Sequence, residues 1–161
     1  MIDKIYTIGY TKKTAETFFE LLKKNNIAIV TDIRLNNTSQ LAGFTKHPDI
    51  KYFLHEIAGI SYNHDITFAP EKNTLLRYKK QEIDWDQYVE EFSTTMNERN
   101  ITNYIKQNYK LNKKICLLCS EATATNCHRS LVADEFKKAN TIKWWHKYFI
   151  NNVILLESFS L

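Results

Sequence analysis

The most reactive side chains of this chain fall in one short segment, Cys119 to Arg129, which reads C-S-E-A-T-A-T-N-C-H-R. If Cys127 begins a helix, with Asn126 as its N-cap, free backbone N–H groups and the positive end of the helix dipole lie beside its sulfur. That placement favours the thiolate, and Arg129 would favour it further. The same geometry accepts a phosphate or carboxylate, with the Arg129 guanidinium on two of its oxygens. The segment therefore predicts thiol chemistry or an anion site, with a small core cysteine as the structural alternative for Cys127.

The cysteine spacing also bears on metal binding. Cys116 and Cys119 stand three residues apart on a predicted strand, so their side chains point to opposite faces and cannot share one ion. Cys119, Cys127 and His128 form a zinc site only if the turn between them folds back, and no fourth ligand is evident. The sequence therefore predicts no metal and identifies no cofactor.

A second group of candidate residues, Asp32 and Arg34, follows a buried strand. An arginine at the carboxyl end of a strand can clamp an anion, while Asp32 orients it or acts as a base. The alternative is a structural ion pair that closes the strand. The polar loop that follows, up to Pro48, contains Ser39 and supplies hydrogen-bond donors suited to a lid or a sugar-phosphate contact. The alternative there is a solvated loop.

Strands and helices that alternate along the chain must position these residues. Apolar, β-rich runs predict strands at Lys4–Gly9, Ala28–Ile33, Ile60–His64, Lys114–Cys119 and, in the tail, Val153–Leu156. Helical spacing and capping signals predict helices from Thr14 to Asn26, Asp49–Ala58, Trp85–Met96, Tyr104–Tyr109 and Cys127–Ala139, with residues 67–83 as a loop. Near-continuous apolar strands are typical of parallel sheets covered on both faces. We therefore expect one α/β domain over residues 1–161, a three-layer, Rossmann-like fold with a mostly parallel sheet and helices on both faces.

Ligands of such sheets collect beyond the carboxyl ends of the strands, and the reactive residues of this chain stand there. Because neighbouring strand ends meet at one edge, we expect a single site. Its catalytic candidates are Asp32, Cys119, Glu121 and Cys127, and its anion-binding candidates are Gly9, Tyr10, Arg34, Ser39, His128 and Arg129.

Composition narrows the class of protein. A chain of 161 residues with 43% hydrophobic and 25% charged residues matches an ordinary globular domain. The sequence contains no run of eighteen apolar residues, so it predicts no membrane span. The first residues lack a signal-peptide pattern. Three cysteines, an odd number, favour reduced thiols and a cytoplasmic location. The net charge of +4 permits a phosphate-bearing small molecule or nucleic acid as partner but is below that of a dedicated nucleic-acid module. Nothing identifies a partner protein.

Several motifs together resemble a known family. They are T-I-G-Y at Thr7–Tyr10, V-T-D-I-R at Val30–Arg34, G-I-S-Y-N-H at Gly59–His64, and L-L-C-S-E with C-H-R-S-L-V-A within Leu117–Ala133. This pattern is similar to the family of domain of unknown function 488, over Ile5 to about Phe136. The resemblance implies an α/β domain in which these motifs lie near one another, and it supplies no activity. Tyr10 stands where the family often has histidine, which removes an acid/base candidate, and the tail after Asn140 lies outside the resemblance.

Three functions are compatible with these features. The first is an enzyme that acts on a nucleotide or nucleic-acid phosphate or glycosidic bond, with Arg34 and Arg129 on the anion and Glu121 or Asp32 as base. The second is a binding module for the same ligands without catalysis. The third is thiol-dependent redox or transferase chemistry through Cys127 or Cys119.

Overall fold

The computed structural model describes residues 5–109, 113–140 and 148–149. These residues form five strands and six α-helices. The strands are β1 (Ile5–Gly9), β2 (Ile29–Asp32), β3 (Ser61–His64), β4 (Ile115–Cys119) and β5 (Tyr148–Phe149). The helices are α1 (Ala15–Lys24), α2 (Asp49–Ala58), α3 (Lys72–Lys79), α4 (Trp85–Glu98), α5 (Ile101–Asn108) and α6 (His128–Asn140). Short 3-10 helices cover Gln40–Thr45 and Ile66–Phe68.

The strands form one parallel sheet in the order β3-β2-β4-β1-β5. β4 lies at its centre, and all five of its residues are buried, as its unbroken apolar sequence predicts. In the register of the sheet Gly9 pairs with Cys119, and Asp32 pairs with Leu118. The carboxyl ends of β1, β2 and β4 therefore meet at one edge, where ligands of parallel sheets collect.

Two hydrophobic clusters cover the two faces of the sheet, because successive strand residues point to opposite sides. On one face Leu117 packs with residues of α4, α5 and α6, among them Phe92, Ile105 and Phe136. On the other face Cys116 and Leu118 pack with residues of α1 and α2, among them Phe18, Leu22, Ile50 and Leu54. This arrangement confirms the predicted three-layer α/β fold. None of the described helices has the length and apolar character that crossing a membrane requires.

Local signals in the sequence explain most of the element boundaries. Thr14 caps α1, since its hydroxyl accepts a hydrogen bond from the Thr17 backbone N–H at 3.1 Å. Gly59 ends α2 in the left-handed conformation, with φ 64°. Asp84 and Gln87 form a capping box at the start of α4. The predicted strand at Val153–Leu156 lies outside the described residues.

Two local predictions were wrong. Residues 67–83 are not a loop throughout, because they contain α3, which buries only Thr74 and so lacks the apolar stripe that reveals a helix. Asn126 does not cap the last helix. It adopts φ 53°, and α6 begins two residues later at His128.

Candidate functional site

The carboxyl edge of the sheet holds a cavity of about 310 Å³. Its lining comes from the end of β4, the turn before α6, the segment after β2, and helices α3 and α4. Among the predicted site residues, the lining includes Arg34, Cys119, Glu121, Cys127 and His128. Residues distant in sequence therefore meet around one cavity, as the strand ends predict.

Cys119, Cys127 and His128 form a buried group in the lining, which we call the Cys–His cluster. The sulfur atoms and one ring nitrogen lie within 4.8 Å of one another, and each residue is at most 8% exposed. The Cys119 Sγ and His128 Nδ1 atoms are 3.6 Å apart. Because the two cysteines stand eight residues apart and yet lie this close, the turn after β4 does fold back, and Asn126 within it adopts the left-handed conformation with φ 53°.

Hydrogen bonding within the cluster shifts the pKa values of its two thiols in opposite directions. The hydrogen bond from Cys127 lowers the pKa of Cys119 well below its usual range despite burial, and the charge of His128 acts in the same direction. That same hydrogen bond and burial raise the pKa of Cys127. Burial alone would lower the pKa of His128, but the Cys119 thiolate more than offsets it and raises this pKa. Cys119 is thus the more acidic thiol of the pair.

Cys116 takes no part in this cluster. It belongs to the hydrophobic cluster on the opposite face of the sheet, and burial raises the pKa of its thiol. This confirms that Cys116 and Cys119 point to opposite faces.

Arg34 and Asp32 form a buried ion pair at the end of β2. The Arg34 Nε and Nη2 atoms donate to the two Asp32 carboxylate oxygens at 2.8 and 2.6 Å, and Nη2 also donates to the Thr45 carbonyl at 2.7 Å. The Tyr62 hydroxyl donates to the second carboxylate oxygen at 2.8 Å, and the Tyr10 ring lies 5.3 Å from the guanidinium carbon. Asp32 is fully buried and Arg34 is 4% exposed. This geometry matches the structural ion pair, the alternative left open by the sequence.

Arg129 and Gly9 hold the turn that follows β4. Arg129 Nη1 donates to the Glu121 carbonyl at 2.7 Å and to the Cys127 sulfur at 3.4 Å. A Cβ atom on Gly9 would lie 1.6 Å from that same carbonyl oxygen. Gly9 therefore leaves the space that the Glu121 backbone occupies, which explains a glycine at the end of β1.

An aromatic group forms the wall of the cavity that α3 and α4 contribute. Trp85 stacks on Tyr88 with ring centroids 5.2 Å apart and 14° between the planes, and Tyr78 lies 4.9 Å from Tyr88. Lys79 also lines the cavity. The sequence pattern indicated Trp85 and Tyr88 only as core residues, and it missed Tyr78 and Lys79 because α3 was not predicted.

A family model described as Domain of unknown function DUF488 matches residues 14–136, which is most of the chain. The chain belongs to the DUF488 family. This confirms the resemblance that the motifs predicted, although the match begins at residue 14 and so leaves out the T-I-G-Y motif. No match was found among curated proteins or among solved structures.

In this DUF488 domain the other five candidate residues are not among those that line the cavity. Asp32 and Tyr10 contact Arg34, while Gly9 and Arg129 contact the turn after β4. Ser39 lies in the segment after β2, partly buried, and is not among the lining residues. The catalytic and anion-binding roles of all ten residues stay predictions, and the geometry favours those that face the cavity.

Proposed function

We propose that the cavity of this DUF488 domain binds a small molecule with a planar ring and a negatively charged group, a nucleotide being the matching class, and that Glu121 acts on it as general base. The observation that carries the proposal is the composition of the lining. Three aromatic side chains pack together in the lining, which also contains polar groups from the strand ends. Cavities of roughly 300–1,000 Å³ with such linings are typical of ligand sites.

The charges around the cavity support an anionic ligand and a single base. Lys79 lines the cavity and is exposed, so it is able to follow a phosphate group, whereas the charge of the other lining cation, Arg34, is paired with Asp32. Glu121 is the one carboxylate among the lining residues that the structure describes, and it is exposed. Asp32, the other base candidate, has its carboxylate engaged by Arg34 and Tyr62.

Binding of ribonucleoside 5′-monophosphates by calorimetry tests the ligand class, and Lys79→Ala tests the position of the phosphate. We expect the variant to bind the nucleotides about two- to fivefold more weakly, the range of an exposed charge pair, and to bind the parent nucleosides unchanged. Lys80→Ala is the matched control, because Lys80 is also exposed but pairs with Glu82 away from the cavity. Equal losses in both variants, or no nucleotide binding by the unaltered protein, would count against the proposal.

Glu121→Gln separates catalysis from binding. If Glu121 is the general base, the variant keeps its nucleotide affinity and loses about 10²–10⁴-fold in product formation, followed by chromatography of the incubated nucleotides. Glu98→Gln removes another exposed carboxylate, one outside the cavity lining, and is expected to leave the rate unchanged. Binding without product in the unaltered protein would instead support the non-catalytic module.

A further inference from the structure

The Cys–His cluster has the donor atoms of a transition-metal site. Two thiols and an imidazole from Cys119, Cys127 and His128 come within 4.8 Å of one another, and all three residues are buried and line the cavity. Soft sulfur donors combined with imidazole nitrogen are the ligands that Zn²⁺ takes in proteins. Cys119 is the last residue of β4, His128 is the first residue of α6, and Cys127 directly precedes that helix. β4 and α6 both pack in the hydrophobic cluster that contains Leu117 and Phe136.

The distance between the Cys119 and His128 donor atoms matches tetrahedral coordination. With Zn–S near 2.3 Å and Zn–N near 2.0–2.1 Å, a tetrahedral angle separates a sulfur ligand from a nitrogen ligand by about 3.5–3.6 Å. The Cys119 Sγ to His128 Nδ1 distance is 3.6 Å. A zinc ion would therefore fit between these two atoms without moving either of them.

The orientation of the histidine ring is a second and independent observation. His128 Nε2 lies 3.1 Å from the Ile33 carbonyl oxygen. A carbonyl only accepts, so Nε2 carries the hydrogen, and in the neutral ring the lone pair is then on Nδ1, facing Cys119. Histidines that bind metals donate their other ring N–H to a backbone carbonyl or carboxylate in this way. A hydrogen-bond donor also supports the second sulfur, since Arg129 Nη1 lies 3.4 Å from Cys127 Sγ.

We propose that Cys119 Sγ, Cys127 Sγ and His128 Nδ1 bind one Zn²⁺ ion, whose fourth position faces the cavity. Binding releases two protons from the cluster to solvent, and the two thiolates then balance the charge of the ion. No other cysteine, histidine, aspartate or glutamate of the described residues joins the group. Because all three ligand residues line the cavity, water or an anionic group of a ligand takes the remaining position. Three protein ligands with one open position characterise catalytic rather than structural zinc.

Metal titration of the reduced, metal-free protein tests the proposal without altering a residue. We expect one Zn²⁺ per chain in competition with a chromophoric chelator. Co²⁺ in place of zinc should give the intense visible bands of a tetrahedral site and a thiolate-to-cobalt charge-transfer band. Weak octahedral bands without charge transfer, or no stoichiometric binding, would overturn the zinc site. A Cys119–Cys127 disulfide that forms readily in the presence of zinc would also overturn it and assign the pair to redox chemistry.

Alanine variants locate the ligands. Cys119→Ala and Cys127→Ala should each weaken zinc binding by more than about 100-fold, beyond the usual effect of losing a supporting partner. Cys116→Ala removes a thiol that is equally buried but on the opposite face, and it should keep the affinity of the unaltered protein. Circular dichroism checks that each variant is folded. If a variant is unfolded, labelling of the unaltered protein with a thiol reagent shows whether the thiols bind zinc. Zinc should protect Cys119 and Cys127 from the reagent. Equal labelling with and without zinc would overturn the zinc site and support free thiol chemistry instead.

The open position has its own test, which does not depend on the proposed nucleotide ligand. Azide, a small anionic ligand, should change the visible spectrum of the cobalt-substituted protein. A spectrum that does not respond would show a closed site and overturn this part of the proposal. Nucleotide binding is measured separately on metal-free protein, so failure of one proposal is distinguishable from failure of the other.

Discussion

Gly9→Ala is expected to lower the free energy of unfolding by about 3 kcal/mol or more, the upper range for forcing a group into filled space. The added Cβ would lie 1.6 Å from the Glu121 carbonyl oxygen and 2.9 Å from Arg129 Nη1. The first of these is a backbone atom, fixed by the Arg129 hydrogen bond and by the adjacent bond from the Thr11 N–H to the Ser120 carbonyl at 3.1 Å. The end of β1 and the turn after β4 therefore cannot separate to admit the Cβ atom without breaking these hydrogen bonds.

Denaturant unfolding followed by circular dichroism measures the effect of Gly9→Ala, and Gly43→Ala is its control. A Cβ atom on Gly43 meets nothing within 4 Å, and this glycine does not need a left-handed backbone. The control variant should therefore unfold within about 0.5 kcal/mol of the unaltered protein. Similar unfolding midpoints for the two variants would contradict the close approach at Gly9.

Asp32→Asn is expected to destabilise the domain by about 3–5 kcal/mol, because it leaves the Arg34 guanidinium buried without its counter-charge. Both side chains are at most 4% exposed, and two hydrogen bonds join them. Replacing both residues, as Asp32→Asn with Arg34→Met, should recover part of the loss, because no charge then stays buried.

Glu20→Gln is the matched control for this ion pair. Glu20 pairs with Lys23 at 2.7 Å, but both side chains are largely exposed and water screens their attraction. The unfolding midpoint of this variant should stay within experimental error of the unaltered protein. If Asp32→Asn unfolds like Glu20→Gln, Arg34 is free for a ligand, and its anion-binding role regains support.

The motif at the end of β4 shows which features of the site could be predicted from the sequence. The pattern placed Cys119, Glu121, Cys127 and His128 at one edge of a parallel sheet, and the structure brings all four to one cavity. It did not establish that the turn folds back, because that depends on the left-handed Asn126 and on Arg129 binding the Glu121 carbonyl. Whether the cysteines and the histidine form one cluster was therefore open until the structure joined them.

The aromatic wall of the cavity shows where sequence reasoning fails. Tyr78 and Lys79 come from α3, a helix of eight residues that buries only Thr74. A helix held mainly by its neighbours carries little periodic signal of its own. Trp85 and Tyr88 were visible as an apolar stripe, but a stripe does not distinguish a side chain packed in the core from one that borders a cavity.

The sequence by itself determined the α/β class, the central buried strand, most helix boundaries and the edge of the sheet at which reactive residues collect. These follow from local periodicity, capping and the fixed direction of parallel strands, which act over a few residues. The tertiary structure alone decided which partners those residues take. The Arg34 guanidinium pairs with Asp32, and the Glu121 backbone occupies the space beside Gly9. The Nδ1 atom of His128 faces Cys119 because the Ile33 carbonyl accepts a hydrogen bond from the other ring nitrogen. Such pairings depend on distances between segments far apart in the chain, and no local pattern encodes them.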